Sequence, residues 1–429
     1  MRDLCPANAA LIAVALTAPN AGPLPTGPNQ GARATSPGRA ERSRPPQPGG
    51  ESGWNGRRQA GKGRPALAAG SRGGSRLAEA LIKARGGRRE VAAMSCGCGL
   101  CALLVGGALL VLLLQLLRWL RADGDLTLLW AEWRGKKPEN ELRGKVVWVT
   151  GASSGIGEEL AYQLSKIGAL LAISARREDE LERVKKRCLQ ISNLSDKDIL
   201  VLRLDLTDRS SHEAATNSVL KHFGKIDVLV NNGGRSQRSL FVDTNLDVFS
   251  AIMELNYLGT ISLTKHVLDH MIQRRRGKIV TVSSVMGIMG APLASGYCAS
   301  KHALQGFFNS LRTELTDYPE ISIINICPGP VQSKIIQNVF TEKLDKSLEN
   351  SGDQSHKMPT ERCVRLTLVS TVNDLKEAWI SDQPYLAVCY LWQYAPTWAW
   401  WLMNRMGKRR IENFKSGVDA DASYSRKKK

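Results

Sequence analysis

The chain has 429 residues, 43% of them hydrophobic, and a formal net charge of +19. This composition excludes a collagen, a coiled-coil rod and a wholly disordered chain, and nine cysteines are too few for a disulfide-stapled mini-scaffold. Residues 1–93 hold 15 Lys/Arg against 5 Asp/Glu and ten of the 18 prolines. The basic balance is therefore partly a property of one end, and it is poor evidence for a nucleic-acid partner.

The 1–93 stretch reads as a disordered leader. Runs such as Pro45-Pro46-Gln47-Pro48-Gly49-Gly50 bury too little apolar surface to offset the entropy of ordering. A signal or transit peptide, or sequence upstream of a start at Met94, are the other readings of this stretch. Residues 98–121 read as a membrane anchor. The core of that segment, 100–117, is broken in polarity by Gln115 alone, and Arg118 and Arg121 close it. Cys96, Cys98 and Cys101 have no histidine near them, so free thiols are expected there and no metal site.

From residue 145 short β-branched runs alternate with amphipathic ones. Strands are expected at 145–150, 170–174, 199–204, 226–230, 278–282, 321–327 and 376–380. Helices are expected at 157–166, 178–190, 210–223, 246–275 and 295–318. This alternation predicts an α/β fold, a doubly wound parallel sheet of the Rossmann kind over 144–382. Residues 383–429 read as an aromatic extension with a basic tail. Five of the ten tryptophans fall at 379, 392, 398, 400 and 401, which suits an interfacial membrane contact or ordinary packing.

The first strand runs into Thr150-Gly151-Ala152-Ser153-Ser154-Gly155-Ile156-Gly157. Glycines there let the chain turn sharply and let a pyrophosphate approach the backbone, and the amides of the next helix face the anion. Dinucleotide choice is read after the second strand. A carboxylate at that point favours NAD, but this chain has Arg176 and Arg177. Guanidinium binds phosphate through charge-assisted bonds, so NADP(H) is the expected cofactor, with Arg176 as its main contact.

These features, with Leu204-Asp205, Asn231-Asn232-Gly233-Gly234 and Tyr297-x-x-x-Lys301, resemble the short-chain dehydrogenase/reductase family. Gly233 departs from the alanine usual there. The resemblance implies a catalytic set of Asn256, Ser284, Tyr297 and Lys301. It also implies that Asp205 and Leu206 flank the adenine, that Asn231 lines the cofactor groove, and that Pro328, Val331 and Ser333 pass the nicotinamide. Gly151, Ser153, Ser154, Gly155, Ile156 and Gly157 complete the expected cofactor contacts.

Chemically, Tyr297 and Lys301 lie four apart on one helix face. An adjacent ammonium is expected to draw the phenol's pKa down toward neutrality. Ser284 is placed to donate to a substrate carbonyl, with Ser283 its near competitor. The resemblance gives Asn256 the task of holding a water that feeds protons to Lys301. It also implies lipophilic substrates (3-ketosteroids, retinal, xenobiotic ketones and quinones), an endoplasmic reticulum membrane, and a homodimer. Residues 333–360 read as a flexible cover over the substrate. A reductase of 3-ketoacyl or 3-ketosphingoid lipids fits the same residues, and so does a scaffold that binds NADP without turnover.

Overall fold

The structure, a computed structural model, describes residues 103–346, 354–418 and 420–421. The expected leader and Cys96, Cys98 and Cys101 lie outside the described residues. The first described helix, α1 (Leu103–Leu120), is long and apolar enough to cross a membrane, and none of it is buried against the rest of the chain. A helix apolar on every side has no polar face to turn to water.

The chain then alternates. After two short helices, α2 (Leu126–Arg134) and α3 (Pro138–Glu141), strand β1 (Val146–Thr150) is followed by α4 (Gly155–Ile167), β2 (Leu170–Ala175), α5 (Glu178–Ile191), β3 (Ile199–Arg203), α6 (His212–Phe223) and β4 (Val228–Asn231). After these come α7 (Leu246–Met253), α8 (Gly259–Gln273), β5 (Gly277–Val282), α9 (Ser295–Glu314), β6 (Ile321–Pro328), α10 (Thr360–Val372) and β7 (Glu377–Ile380). All seven strands pair in parallel in the order β3-β2-β1-β4-β5-β6-β7. This is the doubly wound sheet expected from the alternation, and the order reverses beside β1, where such folds open a crevice.

Strand β1 shows why both faces are covered. Val147 and Val149 join the cluster under α4, α5 and α10, while Val146 and Trp148 join the one under α6, α8 and α9. Period-two side chains thus feed two cores, and every residue of the strand is buried. Trp148 enters without an orphan donor, because its Nε1 donates to Ser174 Oγ at 3.0 Å.

Two departures from the expected elements matter for the site. The single helix foreseen over 246–275 is interrupted by a π turn, Glu254–Leu258, a form of bulge that re-aims one side chain. The aromatic extension is two helices, α11 (Tyr385–Tyr394) and α12 (Pro396–Lys415). They bury Val388, Cys389 and Met403 against Val285 and Met289, just beyond β5.

The segment after α1 is fastened to the sheet edge. Gly124 forms an antiparallel bridge with Ile380, and Ser381 N donates to Asp123 O at 2.9 Å. Asp125 caps α2 (Leu126–Arg134), accepting from Thr127 N and Leu128 N at 2.9 and 3.0 Å. Its second oxygen accepts from Trp379 N at 2.8 Å. Arg362 on α10 pairs with both Asp123 and Glu132.

Candidate active site

The glycine turn sits at the reversal point of the sheet. Gly151 and Gly155 have φ of +64° and +59°, a region that L side chains avoid. A Cβ on Gly157 would lie 2.3 Å from Gly151 O, and one on Gly151 2.8 Å from Gly233 Cα. Asn232 holds the turn, its Nδ2 donating to Thr150 O at 3.0 Å and Gly151 O at 3.3 Å. Thr150 Oγ1 accepts from the amides of Asn232 and Gly233, each at 3.0 Å. Gly233 carries its own reason: a Cβ there would meet Leu206 Cδ1 at 2.5 Å, so its absence lets Leu206 pack down onto the turn.

Around this turn lies a cavity of about 230 Å³ lined by Gly151, Ser153, Ser154, Gly155, Ile156, Arg176, Arg177, Asp205, Leu206 and Ser333. Gly157 packs beneath it. Bare backbone, amides at the start of α4 and guanidinium groups make a cradle that suits a phosphorylated dinucleotide. Arg177 Nη2 donates to Ser153 Oγ at 3.3 Å, and Arg176 is exposed at the rim. Asp205 accepts from Thr207 N at 3.0 Å and so shapes its own loop. Asn231 does not reach the groove: it is buried, and its Nδ2 donates to Thr264 Oγ1 at 2.8 Å on α8. Side chains alternate along β4, so it is Asn232 that faces the cavity.

A second cavity, about 140 Å³, continues from the first and shares Ile156, Asn232, Gly234 and Ser333 with it. Ser284, Tyr297, Lys301, Pro328 and Val331 line it. Ser284 Oγ donates to Pro328 O at 3.3 Å, accepts from Met286 N at 3.1 Å, and hydrogen-bonds the Tyr297 side chain. Ser283 Oγ is directed instead to Lys301 O at 3.4 Å.

The expected acidification of Tyr297 is not present. Burial pushes its hydroxyl up to about 12, against the lowering effect of Ser284. Burial brings Lys301 down to about 8, and its Nζ donates to Val282 O at 2.9 Å, 5.8 Å from the Tyr297 ring centre. Desolvation disfavours the charged form of both groups, so each shifts toward neutrality.

Asn256 is fully buried in the π turn. Its Oδ1 accepts from Arg235 N at 2.9 Å, and its Nδ2 donates to Arg235 O at 2.9 Å and Ser300 Oγ at 3.0 Å. It therefore clamps the loop after β4 to the helix bearing Tyr297 and Lys301. Over Asn256 and Lys301 lies Gly234, where a Cβ would sit 3.0 Å from Asn256 Oδ1.

Several residues went unseen in the sequence. Gln237 is buried, and its Oε1 accepts from Gly296 N at 2.7 Å and Tyr297 N at 3.3 Å. Arg235 lines the first cavity, stacks 3.9 Å above the Phe340 ring and feels the charge of Arg176. Lys334 adds a further cation to that rim. The described parts of 333–360 are held in place: Phe340 N donates to Ser236 O at 2.8 Å and Arg238 N to Phe340 O at 2.9 Å. Beyond Tyr297 the second cavity ends at Arg238, Lys357, Arg410 and Asp421.

Comparison with known proteins places this geometry. The family model for short chain dehydrogenase matches residues 145–344. The chain is 70% identical over 322 residues to Dehydrogenase/reductase SDR family member 7 of Homo sapiens, covering 75% of this chain and 95% of that one. A 7-like relative from Drosophila melanogaster is 34% identical, with 87% of its length covered. Among solved structures, that of levodione reductase superposes with a TM-score of 0.52 at 24% identity, over 57% of this chain and 99% of that one. That last likeness speaks for the fold alone.

Proposed function

The chain belongs to the short-chain dehydrogenase/reductase family, and from that premise we propose that it is a membrane-anchored, NADPH-dependent reductase of lipophilic carbonyl compounds. One observation carries the reading. The glycine-and-arginine cavity adjoins the cavity lined by Ser284, Tyr297 and Lys301 and shares Ile156, Asn232, Gly234, Ser333 and Ile335 with it, so a dinucleotide with its phosphates in the first has its reactive end beside the second.

Bound NADPH supplies the hydride. The remaining tasks fall to the protein. Arg176, with Arg177 and Arg235 near it, supplies positive charge for the extra phosphate. Ser284 turns its hydroxyl from Pro328 O to the substrate oxygen and stabilises the negative charge that develops there. Tyr297 gives its proton to the same oxygen. A phenol held above its ordinary pKa keeps that proton at neutral pH, which suits reduction. Lys301, buried behind it, replaces the proton, and the Asn256 clamp fixes the spacing of the two helices.

Support for lipophilic substrates comes from the surroundings. Helix α1 exposes an apolar surface interrupted only by Gln115 and Arg118, and Trp130, Trp133, Trp398 and Trp401 are all exposed. The foot of α1 is tied to the segment that leads into α11, since Gln383 Nε2 donates to Trp119 O at 3.1 Å. A bilayer accepts such a helix with tryptophans at headgroup depth, and apolar ketones concentrate in the same layer. The proposed compartment is the endoplasmic reticulum, and the proposed assembly is a homodimer.

The test is an assay of membranes bearing the full chain with NADPH and three carbonyl classes: a ketosteroid, retinal and a long-chain 3-ketoacyl compound. Turnover of the first two is expected, with loss of about 10²–10⁴-fold in Tyr297→Phe and retained NADPH binding. Equal turnover by Tyr297→Phe, or reduction of the 3-ketoacyl compound alone, overturns the reading.

A further inference from the structure

Asp421 reaches back across the substrate-side cavity from the end of the described chain. It is buried, and it meets three cations from three separate elements. Its Oδ2 is 2.8 Å from Arg238 Nη2 and 3.8 Å from Lys357 Nζ, and its Oδ1 pairs with Arg410 Nη1. Arg410 is 1% exposed and Lys357 4%. Arg410 is further fixed by Pro292 O at 3.2 Å, and Arg238 by Gln237 O at 2.9 Å. Burial alone raises the pKa of Asp421, but Arg410, Arg238 and Lys357 outweigh it and hold the carboxyl well below the ordinary range.

All four groups line the same cavity as Ser284 and Tyr297. Both Arg238 and Asp421 also bear electrostatically on the Tyr297 hydroxyl. Buried cations facing a substrate cavity form a carboxylate-binding niche, and here the chain fills it with its own carboxylate.

We propose that Asp421 is a specificity-determining residue: its carboxylate occupies an anion niche of Arg238, Lys357 and Arg410 beside Tyr297, so that uncharged carbonyl substrates are accepted and carboxylate-bearing ones are refused. The inference rests on the reading of this cavity as the substrate site. Asp421 acts in two ways. It offsets one of the three positive charges and takes up the Arg238 and Arg410 donors that otherwise bind an anionic substrate, and it repels a second carboxylate at close range, where the low dielectric strengthens the effect. Discrimination of this kind is achieved as much by the repulsive element as by the attractive one.

The test uses the full-length, membrane-bound chain and a matched pair of probes, a 3-ketosteroid with a side-chain carboxylate and its methyl ester. Equilibrium binding is measured with NADPH present. The parent is expected to favour the ester by tenfold or more. Asp421→Asn is expected to shift the ratio toward the carboxylate by at least tenfold. The double variant Arg238→Gln with Asp421→Asn, which leaves less uncompensated charge to destabilise the fold, should give an intermediate ratio. An unchanged ratio in both variants overturns the proposal. So does equal tightening for both probes, which marks the tail as a steric plug.

A chemical-rescue arm separates this failure from failure of the functional reading. Acetate at equal ionic strength should raise the melting temperature of Asp421→Gly, in which the missing side chain opens the niche, relative to chloride, and leave the parent unmoved. Equal response of the two proteins to acetate sinks the niche whatever the probes do. Failure of the parent to turn over the ester with NADPH sinks the reductase reading instead.

Discussion

Gln237 Oε1 accepts the amide hydrogen of Gly296 at 2.7 Å, across 59 residues of sequence. One side chain from the loop after β4 thereby satisfies the first turn of α9, whose leading N–H groups have no partner within the helix. The same oxygen accepts from Tyr297 N at 3.3 Å, and a Cβ on Gly296 would meet Phe249 at 2.7 Å. The starting point of the helix that aims Tyr297 is thus fixed from two sides, by Gln237 and by Phe249.

Replacing Gln237 by Met removes that acceptor and keeps the volume. Two buried amides then lose their partner, at a cost of about 1–3 kcal/mol each in the worst case. The expected result is a kcat lowered about tenfold or more, with NADPH affinity within about twofold of the parent, since the cofactor cavity does not include Gln237. Gln237→Glu keeps an oxygen acceptor and should recover more kcat than Gln237→Met. Equal loss in both variants, or a loss in NADPH affinity alone, would show that Gln237 does not position the tyrosine.

Lys301 and Tyr297 set a pH dependence of stability whose sign follows from their shifts. Burial brings Lys301 down to about 8 in the folded chain from its ordinary 10.5, so between pH 8 and about 10 the unfolded chain binds more protons. Stability contributed through this lysine therefore rises with pH in that window. Tyr297, pushed up to about 12 from 10.0, reverses the trend above pH 10, where the unfolded phenol loses its proton first. Denaturant titrations of parent and Lys301→Met at pH 7.5, 9 and 10 read this directly. The parent should gain on the order of 2 kcal/mol relative to the variant across the range. A flat difference would mean that the buried lysine is charged throughout.

The alternating core was legible because it obeys local rules. Period-two burial in β1 and the glycine turn after it are set by backbone geometry, and both are written in consecutive residues. The placement of Ser284, Tyr297 and Lys301 around one cavity follows from the same regularity, since each lies at or just after a strand end or on one helix face. What stayed hidden is tertiary. The π turn at Asn256 depends on bonds to Arg235 and Ser300, 21 and 44 residues away. The exit of Asn231 from the groove depends on Thr264. Four-residue spacing puts Lys301 on the same helix face as Tyr297, but it does not give the burial that raises the phenol's pKa. Asp421 sits in a polar tail and gains its meaning only from Arg238, Lys357 and Arg410.

Cofactor preference should be carried by the arginines at the rim of the first cavity. Arg176 is exposed there and close enough to Arg235 to lower that residue's pKa, after burial. Two guanidinium groups held together repel each other, and a phosphate dianion between them relieves that repulsion. Arg176→Asp substitutes a charge that repels the phosphate and accepts from ribose hydroxyls. The ratio of kcat/KM for NADPH over NADH should fall about 100-fold, in line with about 1.5–3 kcal/mol for a charge-assisted bond. Arg235→Met should lower the same ratio by a smaller factor and also loosen Phe340. An unchanged ratio in Arg176→Asp would leave the extra phosphate without its proposed partner.

Asp125 joins the segment that follows α1 to the body of the protein, and its removal should be felt as lost stability at that joint. Its carboxylate accepts from Thr127 N, Leu128 N and Trp379 N within 3.0 Å, and it is itself buried. Loss of a helix N-cap costs about 0.5–2 kcal/mol, and the stranded Trp379 amide adds about 1–3 kcal/mol. Asp125→Ala should therefore lower the thermal midpoint by roughly 3–20 °C, at about 2–4 °C per kcal/mol for a domain of this size. Asp125→Asn retains one oxygen acceptor and caps helices nearly as well, so it should recover the α2 contribution but lose part of the Trp379 bond. Proteolysis between α1 and α2 gives an independent reading: cleavage there should quicken in Asp125→Ala and stay slow in Asp125→Asn. If the two variants melt and cleave alike, the joint is held by the Gly124–Ile380 bridge and the Arg362 ion pairs, with no measurable share from the cap.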